Sequence, residues 1–264
     1  MDEAIHITID GRRAEARAGE TILTVARRLG IEIPTLCHHE SLAPYAACRV
    51  CLVEAEINGR TDLVPSCQYP ACEGLTVSTN SPAVVDARRV VLELLLARCP
   101  ASEVVRDLAA RFGVTETPYP SDDPDQTCIL CGLCVRACAQ QIGAAAIGFA
   151  RRGIDRTVGT PFDAASDACI GCMACVEVCP TGHIRSIDDG PLRRMETWHT
   201  ELQLAPCPAC GRPFAPVKQL AELAQRLGEW PEGENICPQC RRGRTAERLA
   251  EASKLTAAMD KSSL

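Results

Sequence analysis

Residues 128–138 read Cys-Ile-Leu-Cys-Gly-Leu-Cys-Val-Arg-Ala-Cys, and residues 169–180 read Cys-Ile-Gly-Cys-Met-Ala-Cys-Val-Glu-Val-Cys-Pro. Each run spaces its cysteines as C-x2-C-x2-C-x3-C. Three thiolates at this spacing can wrap a tight turn around three corners of an iron–sulfur cube. Zinc sites use cysteines in fours, and neither zinc nor disulfides would explain the third cysteine of each run and the x3-C after it. The eight cysteines therefore predict two [4Fe–4S] clusters.

The fourth cysteine of each run is expected to bind the cluster of the other run. A cysteine on the following helical turn cannot reach the cube that the first three hold, and two-cluster bacterial ferredoxins show this exchange. The first cluster is assigned to Cys128, Cys131, Cys134 and Cys179. The second cluster is assigned to Cys169, Cys172, Cys175 and Cys138.

Composition favours a metalloprotein of a reducing compartment. The chain has 264 residues, 18 cysteines and a formal net charge of −6. No apolar run approaches the ~20 residues of a membrane-spanning helix, and the first residues lack the basic and apolar regions of a signal peptide. Cysteines in a chain without an export signal serve metals rather than disulfides, and the lack of a basic tract argues against nucleic acid as a partner. We therefore expect a cytoplasmic protein without a membrane span.

The N-terminal segment predicts a strand, a hairpin, a return strand and a helix. Residues 5–9 alternate isoleucine with polar residues and precede Asp10-Gly11, a hairpin-turn signal. The return strand is expected over residues 13–18, and a helix over residues 21–29 that stops at Gly30. A β-grasp ferredoxin domain begins in this order.

Four further cysteines follow this helix with the spacing C-x10-C-x2-C-x15-C. They are Cys37, Cys48, Cys51 and Cys67. Plant-type ferredoxins have a shorter first gap. The longer gap, with Cys-Arg-Val-Cys-Leu-Val at residues 48–53 and Cys-Gln-Tyr-Pro-Ala-Cys-Glu-Gly-Leu-Thr-Val-Ser-Thr at residues 67–79, resembles the N-terminal [2Fe–2S] domain of the large iron–sulfur subunit of respiratory complex I.

The same domain recurs in [FeFe] hydrogenases, in NAD-dependent formate dehydrogenases and in the diaphorase iron–sulfur subunit of bidirectional [NiFe] hydrogenases. The resemblance implies that Cys37, Cys48, Cys51 and Cys67 bind a [2Fe–2S] cluster. A structural zinc ion at these four cysteines is the alternative. Cys72 is then expected to be a buried free thiol.

Residues 81–127 predict two helices and a linker. The first helix is expected over residues 84–97, with Arg88, Arg89 and Glu93 on its polar side, and the second after an N-cap at Ser102. The complex I relatives carry one histidine and three cysteines in this region, which bind another [4Fe–4S] cluster. Here the region has no histidine and the single cysteine Cys99, so that cluster is predicted to be absent and Cys99 to be structural.

Two C-P-x-C knuckles near the C-terminus predict a further metal site. They supply Cys207, Cys210, Cys237 and Cys240, and the pattern resembles zinc ribbons and rubredoxin-like tails. Structural zinc is the preferred ion, with a further [4Fe–4S] cluster or mononuclear iron as alternatives. A helix is expected between the knuckles and another from Arg241 onwards.

Together these segments predict an α+β protein of four parts. Residues 1–80 are expected to form the N-terminal β-grasp [2Fe–2S] ferredoxin domain, and residues 81–127 a helical connector and acidic linker. Residues 128–200 are expected to form a bacterial-type 2[4Fe–4S] ferredoxin domain. Residues 201–264 are expected to form a four-cysteine zinc-ribbon or rubredoxin-like module with a terminal helix.

The chain shows no catalytic residues and no Gly-rich nucleotide loop, so we expect neither a flavin nor an NAD site. In the larger relatives the corresponding region conducts electrons while catalysis lies elsewhere. The resemblance therefore implies a non-catalytic electron-transfer subunit between a flavin/NAD(P)H-oxidising partner and a second redox subunit, such as a hydrogenase or formate dehydrogenase. A free-standing multi-cluster ferredoxin shuttle and an iron–sulfur redox sensor or scaffold are the alternatives.

Overall fold

The computed structural model describes residues 4–228 and 235–261, with side chains described up to residue 253. The predicted ranges 1–80 and 201–264 therefore extend partly outside the described residues. The chain divides into two compact units, Met1–Gly159 with Ala174–Ile184, and Thr160–Met173 with Arg185–Leu264. Both units contain helices and strands, in agreement with the predicted α+β class.

A five-stranded mixed sheet forms the N-terminal part of the first unit. Its strands are β1 (Ile5–Ile9), β2 (Arg12–Ala16), β3 (Leu52–Ile57), β4 (Arg60–Pro65) and β5 (Thr76–Ser78). They lie in the order β2-β1-β5-β3-β4, with β1 and β5 parallel and the other neighbours antiparallel. Helix α1 (Ile22–Arg28) shares one buried apolar core with the sheet. The first elements of this part follow the predicted order of strand, hairpin, return strand and helix.

The first hairpin explains why the return strand begins earlier than predicted. Asp10 and Gly11 have φ values of 49° and 76°, as a two-residue type I′ turn requires. Because the turn is complete in two residues, Arg12 already pairs with Ile9. The predicted range of 13–18 for this strand is wrong at both ends.

Two helices follow the sheet, as predicted. They are α2 (Pro82–Arg98) and α3 (Glu103–Arg111). Each begins after a serine N-cap: Ser81 Oγ accepts a hydrogen bond from the Val84 N–H, and Ser102 Oγ accepts one from the Val105 N–H. These side chains satisfy backbone donors that a helix N-terminus leaves without partners.

The prediction that Arg88 lies on the polar side of α2 is wrong. Arg88 is only 2% exposed, and its guanidinium donates hydrogen bonds to the carbonyl oxygens of Val50, Leu52 and Thr79. The cation also lies 5.0 Å from the centre of the Phe112 ring. A buried charge needs such partners to offset its lost hydration, and here they join α2 to the start of β3.

A second apolar core in the first unit joins these helices to the cysteine-bearing loops. Leu92 of α2 and Val105 of α3 pack in one cluster with Cys37, Cys48 and Cys131. Cys99 is also fully buried there, and its thiol donates to the Leu95 carbonyl oxygen at 2.9 Å. This contact agrees with the structural role predicted for Cys99.

Several short elements follow the two helices in the first unit. They are α4 (Leu133–Arg136), a π-helix (Ala137–Ile142), β6 (Gly148–Ala150), β7 (Thr157–Gly159) and α5 (Ala174–Glu177). β6 and β7 pair as an antiparallel hairpin. α5 packs against α4 and the π-helix.

The second unit contains a four-stranded antiparallel sheet. Its elements are β8 (Ile187–Asp189), β9 (Leu192–Met195), β10 (Thr200–Pro206), β11 (Pro213–Pro216), α6 (Val217–Leu227) and α7 (Pro238–Lys261). The strands lie in the order β11-β10-β9-β8, so the sheet continues across the boundary predicted at residue 200. Arg193 is buried in this unit and pairs with the Asp188 carboxylate at 2.7 Å. Its guanidinium also donates to the Gly171 carbonyl oxygen at 2.8 Å.

None of the helices within residues 4–228 and 235–261 combines the length and the apolar character that crossing a bilayer requires.

Candidate iron–sulfur and metal sites

The four cysteines predicted to bind the [2Fe–2S] cluster lie together in the first unit, and each is at most 5% exposed. They form two thiol pairs. The thiols of Cys37 and Cys48 contact each other, and the Cys48 N–H also donates to Cys37 Sγ at 3.4 Å. The second pair joins Cys51 to Cys67. A [2Fe–2S] rhomb takes two thiolates on each of its two irons, so two adjacent thiol pairs fit this group.

Backbone contacts fix the second pair at the ends of the β3–β4 hairpin. Ser66 donates to the Cys51 carbonyl oxygen from its hydroxyl at 2.8 Å and from its N–H at 3.1 Å. The Ser66 carbonyl oxygen in turn accepts the N–H of Leu23 in α1 at 3.0 Å. Helix α1 therefore holds the segment that carries the fourth cysteine of the set.

The paired thiols differ in acidity. A hydrogen bond from the Cys37 thiol lowers the pKa of Cys48 to about 6, and one from Cys67 lowers the pKa of Cys51 to about 7. The donor thiols Cys37 and Cys67 have raised pKa values, because each shares its proton with the neighbouring sulfur. Thiolates are the form that binds iron, and each pair already holds one sulfur that ionises readily.

The first predicted [4Fe–4S] set also converges within the first unit. Burial is the largest effect on these thiols: it raises the pKa of Cys128 and Cys134 and raises that of Cys131 to about 11. Neighbouring thiols, including that of Cys179, contribute to the same upward shifts. Cys179, from the second run, therefore lies within electrostatic reach of the three cysteines of the first run. Iron must displace the protons of these buried thiols when it binds.

The second predicted [4Fe–4S] set falls on both units of the chain. Cys138 lies on the π-helix and Cys175 on α5, and these elements pack together in the first unit. The Ala146 N–H donates to Cys138 Sγ at 3.3 Å. Cys169 and Cys172 belong to the second unit. The grouping of these four cysteines remains the prediction that their spacing gives.

The knuckle cysteines form a compact group in the second unit. The sulfur atoms of Cys207, Cys210, Cys237 and Cys240 all lie within 4.8 Å of one another. The Cys237 N–H donates to Cys207 Sγ at 3.2 Å, and this hydrogen bond lowers the pKa of Cys207 to about 6. A group this tight, with backbone donors on its sulfurs, suits a single metal ion.

Sequence reasoning missed one residue beside the cysteines. Arg136, which stands in the x3 spacer of the first run, donates to the carbonyl oxygen of Cys37 at 3.2 Å. It therefore contacts the backbone of a ligand from the other predicted site. Its place inside a cysteine run is the one sequence signal that could have identified it.

Comparison with protein families assigns both cluster types to this chain. Residues 2–82 match the family described as 2Fe-2S iron-sulfur cluster binding domain. Residues 127–183 match the family described as 4Fe-4S dicluster domain. The two matches contain all twelve cysteines predicted to bind iron–sulfur clusters.

Several curated proteins are similar over most of the chain. An NADH-quinone oxidoreductase subunit of Rhizobium meliloti is 34% identical over 270 residues, which cover 91% of this chain and 31% of that protein. The NADP-reducing hydrogenase subunit HndD of Solidesulfovibrio fructosivorans is 37% identical over 206 residues, 67% of this chain and 35% of that one. The chain thus spans about a third of the length of these relatives.

A solved structure is similar as well. A chain in the crystal structure of NAD+-reducing [NiFe]-hydrogenase in the H2-reduced state is 32% identical, with a TM-score of 0.52. The match covers 59% of this chain and 74% of that chain. This protein therefore belongs to the family of iron–sulfur proteins that includes the 75 and 78 kDa subunits of NADH-ubiquinone oxidoreductase, their counterparts in NADH-quinone oxidoreductase, and subunits of NAD(P)-reducing hydrogenases.

Proposed function

We propose that this chain is a non-catalytic electron-transfer subunit of an NAD(P)H-linked oxidoreductase complex. When bound, one [2Fe–2S] and two [4Fe–4S] clusters would accept and release single electrons. The observation that carries the proposal is the shared core of the first unit. There Cys37 and Cys48 of the [2Fe–2S] set pack in one buried apolar cluster with Cys131 of the first [4Fe–4S] set.

This shared core brings two ligand sets close enough to influence each other. The thiol of Cys48 contributes to the raised pKa of Cys131, which shows that the two sulfurs are within electrostatic reach. Leu133 and Ala137 are also buried in the same cluster. We infer that electrons pass between these two sets, because they share one buried cluster.

The proposed ligand sets follow the cysteine spacing. Cys37, Cys48, Cys51 and Cys67 would hold the [2Fe–2S] cluster. Cys128, Cys131, Cys134 and Cys179 would hold the first [4Fe–4S] cluster. Cys169, Cys172, Cys175 and Cys138 would hold the second.

We further propose that the knuckle cysteines hold one zinc ion. Four sulfurs placed tetrahedrally at a zinc–sulfur distance of about 2.3 Å are separated by about 3.8 Å. The Sγ atoms of Cys210 and Cys237 are 3.8 Å apart, and the whole set lies within 4.8 Å. A [4Fe–4S] cube binds each thiolate on a different iron and would spread the sulfurs well beyond this limit, so the geometry favours a single ion.

The partners we propose are a flavin/NAD(P)H-oxidising subunit and a second redox subunit, such as a hydrogenase or formate dehydrogenase, in the cytoplasm. Relatives named as NADH-quinone oxidoreductase and NADP-reducing hydrogenase subunits support this choice. A third relative, from Geobacter sulfurreducens, is named NADPH-Fe(3+) oxidoreductase subunit alpha.

Anaerobic purification from the native cells tests the proposal. We expect a flavoprotein and a second redox subunit to co-purify with the chain in fixed ratio. Recovery of the chain as a monomer that still exchanges electrons with soluble acceptors would contradict the subunit proposal and favour a free-standing ferredoxin shuttle. If the affinity of the chain for a partner changes reversibly on oxidation, and no electrons pass to that partner, a redox sensor or scaffold would be favoured instead.

A further inference from the structure

The ten residues between Cys37 and Cys48 form a loop that is longer than the corresponding plant-type gap. In the first unit this loop contacts the first cysteine run and the π-helix that follows it. Arg136 donates to the carbonyl oxygens of Cys37 and Ala43, and Gln141 donates to the carbonyl oxygen of Ser41. The contacts are therefore made to the backbone of the loop at three points.

Aromatic packing reinforces the same contact. The guanidinium carbon of Arg136 lies 5.2 Å from the centre of the Tyr45 ring, and Tyr45 belongs to the loop. A Cβ on Gly132 would lie 3.4 Å from Tyr45 Cε1 and 3.0 Å from Phe149 Cζ. The loop thus approaches the backbone of the cysteine run closely at a position that carries no side chain.

We propose that Arg136 is a positioning residue, which holds the Cys37–Cys48 loop at a fixed distance from the first [4Fe–4S] ligand run. The planar guanidinium can bond two carbonyl oxygens at once and stack on an aromatic ring, which a lysine cannot reproduce. One side chain therefore connects the backbone of a proposed [2Fe–2S] ligand to helix α4, which carries Cys134. This inference rests on the proposed function, because a fixed spacing between the two cysteine sets matters for electron transfer only if both clusters are bound.

The charge of Arg136 adds a second effect. Iron–sulfur clusters with four thiolates carry net negative charge, and nearby charge is one of the factors that set their reduction potentials. A permanent cation beside Cys37 stabilises the reduced, more negative state. Its removal should therefore shift the reduction potential of the [2Fe–2S] cluster to more negative values.

The test compares R136K, R136Q and Y45L with the wild-type chain, with R152Q as the control. Arg152 is an exposed arginine of the same unit, so R152Q makes the same change of charge away from the loop. Each full-length protein is purified anaerobically and its iron content measured. Electron paramagnetic resonance of the reduced protein then reports how strongly a reduced [4Fe–4S] cluster accelerates the spin relaxation of the [2Fe–2S] cluster.

We expect R136Q to weaken this relaxation enhancement and to lower the [2Fe–2S] potential, whereas R152Q leaves both unchanged. R136K should keep the potential close to the wild-type value, because it keeps the charge, but should still lose part of the relaxation enhancement. Y45L should reduce the enhancement without removing any partner of a backbone carbonyl oxygen.

Wild-type relaxation and potential in R136Q, at wild-type iron content, would overturn the inference. If R136Q does not retain its iron, the Y45L variant provides the test instead. A relaxation enhancement in Y45L equal to that of the wild-type chain would then overturn the inference. A wild-type chain without [2Fe–2S] or [4Fe–4S] signals would contradict the proposed function together with this inference. Normal wild-type signals with unresponsive variants would contradict the role of Arg136 alone.

Discussion

Gly132, between the second and third cysteines of the first run, has a left-handed backbone with φ of 71°. Its surroundings add to this restriction, because a Cβ here would lie 3.0 Å from Phe149 Cζ and 3.4 Å from Tyr45 Cε1, so the rings would have to shift. A side chain at residue 132 is therefore expected to disturb the turn between Cys131 and Cys134, two of the proposed ligands of the first [4Fe–4S] cluster.

The first prediction concerns G132A, with G113A as its matched control. Gly113 has the same φ of 71° but no atom within 4 Å of its added Cβ, so G113A carries the backbone cost of about 1–2 kcal/mol without a clash. We expect G132A to lose about four irons per chain, the content of one [4Fe–4S] cluster, while G113A keeps them. Equal iron content in the two variants would show that the close packing at Gly132 does not matter.

Arg88 is the residue whose environment departs most from the sequence prediction. Three carbonyl oxygens, those of Val50, Leu52 and Thr79, receive its hydrogen bonds inside the protein. An uncharged, apolar replacement would leave these acceptors buried without donors, which costs more than losing a surface contact.

The second prediction is that R88L lowers the free energy of unfolding by about 3 kcal/mol or more, because buried acceptors lose a charged donor. R89L, at the exposed neighbouring position of the same helix, should change it by no more than about 0.5 kcal/mol. Anaerobic thermal or denaturant unfolding of the cluster-loaded chain measures both. Similar values for the two variants would mean that the Arg88 contacts do not stabilise the fold.

Among the described residues, the apolar cluster around the knuckle cysteines between β10 and α7 is small. Cys207, Ile236 and Cys237 are its buried members, with Phe214 and Cys240 packed against them. Such a small core contributes little burial of its own. We therefore expect the proposed zinc ion to hold the start of α7 against the β10–β11 pair.

The third prediction concerns removal of this ion. A zinc chelator, or the variant C237S, should release about one zinc per chain and make the segment around residues 205–240 sensitive to protease. The [2Fe–2S] signal should persist, because its four cysteines belong to the other unit. C72S, which changes a cysteine outside every predicted set, is the control. Unchanged protease resistance after complete zinc loss would show that the ion does not hold the start of α7 against the β10–β11 pair.

For the whole molecule, the proposed sites account for sixteen of the eighteen cysteines, and Cys72 and Cys99 remain. Cys99 is buried and hydrogen-bonded, and residues 81–127 contain no histidine. The extra [4Fe–4S] cluster that the complex I resemblance would place in this region has too few ligands here. The molecule is therefore expected to hold three redox centres and one redox-inert ion.

The fourth prediction is that reductive titration of the anaerobic chain takes up about three electrons, one for each cluster. Metal analysis should give about ten irons and about one zinc per chain. C99S should leave the electron count unchanged. Four electrons with about eleven irons and no zinc would indicate mononuclear iron in the knuckles, and about fourteen irons would indicate a further [4Fe–4S] cluster there.

Much of this architecture could be predicted because it depends on short-range patterns. The alternating residues 5–9 and the Asp10-Gly11 turn predict the first hairpin, and the Ser102 N-cap predicts the start of α3. The predicted bounds of the return strand are off by one or two residues, because the two-residue turn places this strand at Arg12–Ala16.

The sequence by itself determined the cluster types and the candidate ligands, because the spacing of cysteines along a turn must match the corners of the group that they bind. The tertiary structure alone decided what lies between those ligand sets. It buried Arg88 against the carbonyl oxygens of Val50 and Leu52 and joined Arg136 to Cys37, which lies 99 residues earlier in the chain. Contacts of that kind follow from how distant segments pack, and no local residue pattern encodes them.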